Sequence, residues 1–268
     1  MSLSSSSCSR SSIVARLRAS GCVYAEEEAQ LLLAAAGGPE ELASMVARRA
    51  DGLPLEPILG WAEFHGLRIT VEPEVFVPRR RTEFLVDQAA ALADGERPVV
   101  VDLCCGAGAV GAALAAALDR IELYATDLHP TAVRCARRNI AHHGRVYEGD
   151  LYEPLPTALR GHVDVLAVNA PYVPSESLGT MPPEARVHEP RLALDGGADG
   201  LDTQRRVAAE APLWLAPGGH LLIETGEPQA QRTADVLERN GLVPRVTGSE
   251  DLEATVVIGT LRREAREP

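Results

Sequence analysis

The sequence predicts an α/β fold in which a mostly parallel sheet is covered by helices on both faces, preceded by a small helical unit and a short extended linker. Three patterns carry this expectation. After Pro98, short apolar runs suited to buried strands alternate with longer runs of helical periodicity. The first strand run, Val99-Val-Val-Asp-Leu103, ends in a glycine-containing turn that opens a helix. The alternation then stops near the end of the chain, where 244–249 and 254–262 are strand-like runs joined by a turn too short for a parallel crossover. Those two runs are expected to pair antiparallel at one end of the sheet.

In chain order, residues 1–12 are polar and Ser-rich and are expected to be disordered. Residues 13–49 carry apolar positions at helical spacing, broken by Gly21 and by Gly37-Gly38-Pro39, which predicts two or three short helices. Residues 54–78 turn extended, with alternation in Gly66-Leu-Arg-Ile-Thr-Val71 and punctuation by Pro73 and Pro78, as in a hairpin. A helix follows over 81–92. Strands are then expected at 99–103, 122–126, 145–148, 163–168 and 220–224, with helices at 109–118, 132–142 and 207–215. The expected division is a helical domain over 1–53, a linking hairpin over 54–80 and the sheet domain over 81–268.

Composition narrows the function. With 46% hydrophobic residues in 268, the chain can bury one large core, or one core and a small helical appendage. No apolar run approaches the ~20 residues that cross a bilayer, and the start lacks the apolar stretch of a secretion signal, so a cytoplasmic protein without a membrane partner is expected. The five cysteines (Cys8, Cys22, Cys104, Cys105, Cys135) lack paired zinc spacing and read as reduced thiols, with no metal expected. A net charge of −12 argues against direct nucleic-acid binding. All 26 basic residues are Arg, which excludes Schiff-base chemistry and phosphate-loop hydrolysis of nucleotides, both dependent on Lys.

The turn Cys104-Cys105-Gly106-Ala107-Gly108 lies at the carboxyl edge of the first strand, where α/β sheets bind ligands, and Asp127 and Asp150 end or follow the next two strands. Asp127 has the spacing to accept both hydroxyls of a ribose. Asp102, on the strand itself, would repel a pyrophosphate and tolerate a sulfonium; capping backbone amides of the loop is an equal reading of it. The turn departs from the dinucleotide register, since Gly111 follows Gly106-x-Gly108. Together with the antiparallel ending, these features favour S-adenosyl-L-methionine over a nicotinamide dinucleotide. They point to a Rossmann-like, seven-stranded class I S-adenosylmethionine-dependent methyltransferase sheet whose last strand is antiparallel.

Asn169-Ala170-Pro171-Tyr172 closes the apolar run Val163-Asp-Val-Leu-Ala-Val168. An Asn offers an acceptor and donors, a Pro fixes the turn, and a Tyr supplies a flat face and a hydroxyl, a set suited to a planar amide or amino nitrogen. Methyl transfer to nitrogen is therefore the predicted chemistry. The plain alternative is a turn, with Tyr172 packing in the core.

On the loop, the acidic strand ends and Asn-x-Pro-Tyr taken together, the chain resembles the HemK/PrmC family of protein glutamine N5-methyltransferases, which modify the Gly-Gly-Gln loop of peptide chain release factors. Pro57-Ile-Leu-Gly-Trp-Ala-Glu-Phe-His-Gly-Leu67 and Val77-Pro-Arg-Arg-Arg-Thr-Glu83 are similar to the family's interdomain hairpin, and the segment from Glu184 to Gly200 to the stretch after its substrate motif. The resemblance implies that Cys104 to Gly108, Asp127, Leu151 and Asn169 line the cofactor. It also implies that Asn169 to Tyr172 hold the glutamine, the Asn169 oxygen and the Ala170 carbonyl accepting its amide hydrogens. A release factor is the implied partner of a chain expected to be monomeric. Three departures stand out: Ala170 where the family has Pro, Cys104 where it has Gly, and Arg80-Arg81 where it has Pro-Glu. Ala170 loses the ring that fixes φ, which leaves open another protein amide, a small molecule or a nucleobase amino group as acceptor. Cys104 is read as an inert buried thiol; His188 and Glu189 are candidate general bases by proximity in sequence alone, and the preferred reading of both is a solvated loop residue.

Overall fold

The computed structural model describes residues 9–263, so the disorder expected of 1–8 lies outside the described residues. At 9–12 the expectation is corrected. The Ser9 hydroxyl accepts from the Ser12 amide at 3.3 Å and caps helix α1 (Arg10–Ala19), because a serine before a helix satisfies a backbone donor that the helix leaves free. Helices α2 (Ala25–Ala35), α3 (Pro39–Ala50) and the short α4 (Leu55–Leu59) close with α1 around Leu17, Leu32, Met45, Val46 and Ile58. Pro39 opens α3, where its missing amide hydrogen costs nothing. This apolar cluster is separate from the two that sandwich the sheet, and through Ile58 on α4 it runs past Leu53 into the stretch expected to be extended.

Strands β1 (Trp61–Phe64) and β2 (Leu67–Thr70) form an antiparallel hairpin turned by His65 and Gly66, both at positive φ (50° and 74°), the turn whose twist matches that of its strands. The hairpin is no free tether. Phe64 and Ile69 share a core with Val100 and Leu114, and Asn139 accepts from Thr70 N at 2.8 Å while donating to Thr70 O.

The remaining strands are β3 (Val99–Leu103), β4 (Glu122–Asp127), β5 (Gly144–Glu148), β6 (Val163–Val168), β7 (Leu215–Thr225), β8 (Leu242–Ser249) and β9 (Ala254–Leu261). They form one seven-stranded sheet in the order β5-β4-β3-β6-β7-β9-β8, parallel except for β9, which runs antiparallel to both neighbours. Side chains alternate between its faces with the period of a strand. Val100, Ala125, Val165 and Leu222 face α5 (Glu83–Leu92), α6 (Ala109–Ala117) and α7 (Pro130–Ile140). Val101, Tyr124, Leu166 and Ile223 face α9 (Asp202–Trp214) and α10 (Ala230–Arg239). The short α8 (Pro183–His188) lies in the long loop between β6 and α9.

Two differences from the sequence expectation have local causes. Helix α10 was not expected, although Ala230, Thr233, Ala234 and Leu237 recur at helical spacing and form its buried face beneath β8; a short turn over Glu227–Gln229 separates it from β7. Strand β7 begins at Leu215, five residues ahead of the predicted 220, and its early part pairs with Val163 through an irregular register. Chain order reverses on either side of β3, with β4 on one flank and β6 on the other, which opens a crevice at the carboxyl ends of these strands.

Candidate active site

That crevice is a cavity of about 230 Å³. On its β3–β4 side, Cys105, Gly106 and Ala107 come from the turn between β3 and α6, and the turn is fixed by backbone bonds from Cys105 N to Thr126 O (3.0 Å) and from Gly108 N to Cys105 O (2.7 Å). Asp127 accepts from Gly106 N on one oxygen and from His129 N on the other, each at 2.8 Å. Both bonds lie in backbone that the strand end already positions, so the carboxylate is aimed before any ligand arrives. Burial pushes its carboxyl up, against the pull of the His129 and Gly106 amides. Asp102 accepts from Gly111 N at 2.9 Å, which is the capping role, and burial raises it to about 7. Both readings of Asp102 survive, since it also lines the cavity.

Cys104, Asp150 and Leu151 line the same space. Cys104 has φ of +56°, the left-handed conformation that favours the glycine of the resembled pattern, and burial pushes its thiol well up, away from reactivity. Asp150 pairs with Arg206 at 2.6 Å, and the Leu151 carbonyl receives the Thr126 hydroxyl at 2.9 Å. Gly108 ends the turn. It caps α6 at φ +76°, and a Cβ there would stand 2.9 Å from the Ala136 Cα, so this glycine lets α6 pack on α7.

The β6–β7 side is built from distant segments. Asn169, Ala170, Pro171 and Tyr172 all line the cavity, directly after β6. Their turn is braced from downstream: Val173 N donates to Leu194 O at 3.0 Å, and Gly196 N returns a bond to Val173 O at 2.9 Å. Gln229 Nε2 donates to Tyr172 O at 3.0 Å, and at Gly200 a Cβ would sit 2.3 Å from that same oxygen. The glycines after Asp195 thus admit a second backbone against the motif.

Around the motif stand residues that the sequence reading missed. Thr82 Oγ1 accepts from Asn169 Nδ2 at 3.2 Å, so the oxygen end of that amide is the one left to accept from a ligand. Glu224, at the end of β7, is 3.4 Å from both the Tyr172 hydroxyl and Arg81 Nε. Burial raises Glu224, opposed by the Thr82 hydroxyl and Arg81. Tyr172 is pushed up to about 12 by burial and the Glu224 charge, so it stays protonated. Glu189 is not solvated, as had been expected: its carboxylate is buried against Arg79 (2.5 Å) and Val77 N, because the 189–195 segment folds back over the hairpin end. Glu224 had a signal in sequence, an acidic residue closing an apolar strand run as Asp127 does. Thr82 and Arg81 had none.

Similarity to known proteins agrees with this geometry. The methyltransferase small domain family matches residues 67–185, from β2 to α8 and across both halves of the cavity. A release factor glutamine methyltransferase of Geobacter sulfurreducens is 39% identical over 227 residues, covering 82% of this chain and 78% of its own length. The chain belongs to the release factor glutamine methyltransferase family. A further relative of that name in Gloeobacter violaceus is 36% identical and covers 82% of each chain. Among solved structures, the hMettl16 catalytic domain superposes with a TM-score of 0.57 at 16% identity, covering 85% of this chain and 83% of that one, which establishes the shared class I methyltransferase fold.

The methyl donor of such an enzyme is S-adenosyl-L-methionine, and the residues present fit it. Of the lining carboxylates, Asp150 and Glu189 are paired with Arg206 and Arg79, whereas Asp127 is held by backbone amides. Asp127, held by a backbone amide at each oxygen, retains lone pairs for two vicinal hydroxyls. Among the described residues no helix is long and apolar enough to cross a membrane.

Proposed function

We propose that this chain methylates the side-chain amide nitrogen (N5) of the glutamine in the Gly-Gly-Gln motif of peptide chain release factors, acting as a cytoplasmic monomer that makes no direct nucleic-acid contact. The observation that carries the reading is the placement of Asn169 to Tyr172 and the Cys104–Asp127 loop pair on opposite walls of one cavity. We assign Cys104, Cys105, Gly106, Ala107, Asp127, Asp150, Leu151 and Asn169 to the cofactor, and Asn169, Ala170, Pro171 and Tyr172 to the glutamine.

S-adenosyl-L-methionine supplies a methyl group on a sulfonium, an electrophile that needs no acid to leave. An amide nitrogen is a poor nucleophile, since its lone pair is delocalised into the carbonyl. Asn169 Oδ1 and the Ala170 carbonyl would accept its two hydrogens and turn the nitrogen toward the methyl, with Tyr172 covering the amide plane against water. As the new C–N bond forms, the C–S electron pair stays on sulfur and the nitrogen sheds one proton. Nitrogen bearing that extra bond is strongly acidic, so it would release the proton along its hydrogen bond to Asn169 Oδ1 or the Ala170 carbonyl and from there to solvent outside the cavity. Most of the acceleration then comes from alignment, for which effective molarities of about 10⁵ M are attainable.

The test is transfer of labelled methyl to a purified release factor and to a variant whose Gly-Gly-Gln glutamine is replaced. Label dependent on that residue is the expected result. Equal labelling of both proteins, or none with cofactor binding intact, would reject the acceptor.

A further inference from the structure

The core of the four N-terminal helices is separate from the two beside the sheet, yet a buried cation joins these regions. Arg49, near the end of α3, has a side chain 7% exposed. Its Nε and Nη2 donate to the two oxygens of Glu28 on α2, at 2.6 and 3.1 Å, and its Nη1 donates to Leu53 O at 3.0 Å. That same Nη1 stands 2.7 Å from Glu184 Oε1, in the first turn of α8. Glu28 and Leu53 already satisfy the guanidinium within the helical unit, so its folding does not depend on Glu184. The contact instead holds the long stretch between β6 and α9. Farther along that stretch, Glu189 pairs with Arg79 at 2.5 Å, and Leu194 O accepts from Val173 N beside the Asn169–Tyr172 motif. Met181, just before α8, and Leu192 and Leu194, after it, line the cavity. Helix α8 has only 6 residues and one buried side chain, Ala185, so packing alone anchors it weakly.

We propose that Arg49 is a positioning residue for methyl transfer: through Glu184 it pins α8 to the helical unit and so fixes the acceptor-side wall of the cavity, Met181 foremost. A guanidinium suits this task because its planar fork holds Glu28 along one edge while Nη1 remains free to reach a second carboxylate. Packing within the helical unit immobilises the Arg49 side chain before α8 docks, so the pin orders little more than the Glu184 side chain itself. With the pin broken, the wall would stand in place for only a fraction of the time, and the acceptor would bind more weakly by that fraction. The cofactor wall, built on β3 and β4, would not feel the change. The inference deepens the proposed acceptor reading and rests on it.

The experiment compares Glu184→Ala, Glu184→Gln, Arg49→Lys and the Arg49→Lys/Glu184→Ala double variant with wild type. Glu184 is 49% exposed, so its replacement should leave the fold intact. Lysine keeps a charge beside Glu28 but has a single donor head for two acids. In steady-state transfer to the release factor, Glu184→Ala and Arg49→Lys should each raise KM for that protein about fivefold, the size of one partly buried ion pair, with kcat and S-adenosylmethionine affinity within about twofold. The double variant should be no worse than its poorer parent, since both changes break one contact. Glu184→Gln keeps an oxygen for Nη1 but lacks the charge that favours a helix N-terminus, and should stay within about twofold of wild type. An unmoved KM in Glu184→Ala, multiplied losses in the double variant, or Glu184→Gln falling as far as Glu184→Ala would overturn the proposal. Should Arg49→Lys not fold, the two Glu184 variants decide by the same KM criterion. Met45 in the helical core and Met181 on the cavity wall give a readout free of turnover. In protein carrying methyl-labelled methionine, the Met181 resonance, assigned by its loss in Met181→Leu, should shift or broaden in Glu184→Ala while that of Met45 stays in place. An unmoved Met181 would overturn the proposal whatever the acceptor, whereas a moved Met181 with no transfer by wild type would support the pin and reject the release factor alone.

Discussion

On the β3–β4 side of the cavity, β3, its turn and the end of β4 supply carboxylates that backbone amides aim, Gly111 for Asp102 and Gly106 and His129 for Asp127, while Asp150, after β5, is held by Arg206. On the β6–β7 side, Asn169 is held by Thr82 before α5, and the motif's backbone by Leu194 and Gln229. The first wall is stiff because it is secondary structure. The second exists only when four stretches of chain are assembled, and its polar groups are fixed by side chains. The wall we assign to the cofactor is thus made mainly by neighbouring strand ends, and the wall we assign to the substrate by tertiary contact.

If the two walls divide the labour in this way, their variants should separate cleanly. Asn169→Ala carries the largest expected effect, a fall in kcat of about 10³-fold, the size of losing a main preorganised group, with S-adenosylmethionine affinity lowered by calorimetry far less than in Asp127→Ala. Asp127→Ala should do the reverse. Losing the charged acceptor of the ribose hydroxyls should weaken the cofactor by about 10- to 100-fold, with kcat at saturation nearly kept. A loss of cofactor affinity in Asn169→Ala as large as in Asp127→Ala would dissolve the distinction.

A smaller effect sharpens the β3 side alone. Asp102 has its carboxyl raised to about 7 by burial, above its usual 3.8, so the folded protein holds a proton that the unfolded chain has released. Its contribution to stability is therefore full below the unfolded value and is lost as pH rises through about 7. In cofactor-free thermal melts, the melting temperature of wild type relative to Asp102→Asn should decline from about pH 5 to about pH 8. A flat difference would mean that the carboxyl is ionised throughout. The smallest effect concerns Cys104. Replacing it with Gly relieves a left-handed residue, about 1 kcal/mol, but adds a similar chain entropy to the unfolded state. The melting temperature should shift by no more than about 3 °C, with kcat retained. A larger loss would show that the Cys104 side chain packs as more than a passenger on the second core.

Strand–turn–helix geometry was legible because each part is short-range: Val99 to Leu103 reads as a buried strand, Gly106 permits the turn, and Asp127 ends the next strand. Asn169 was legible for the same reason, as a polar residue ending an apolar run. The packing role of Gly108 was not legible, because a glycine after a strand looks alike whether or not a helix presses on it, and only the approach of Ala136 shows that one does. Glu189 looked solvated because nothing in its neighbourhood of sequence reveals Arg79 and Val77, more than a hundred positions earlier.

By itself the sequence determined the alternation of elements and the antiparallel ending, since periodicity, turn chemistry and strand ends are written within a few residues of one another. The tertiary structure alone decided that Thr82, Glu224 and Arg81 meet Asn169 and Tyr172, and hence which end of the Asn169 amide is free to work. A hydrogen bond depends on ångström distances between groups that the chain brings together from afar, and no local pattern encodes that distance.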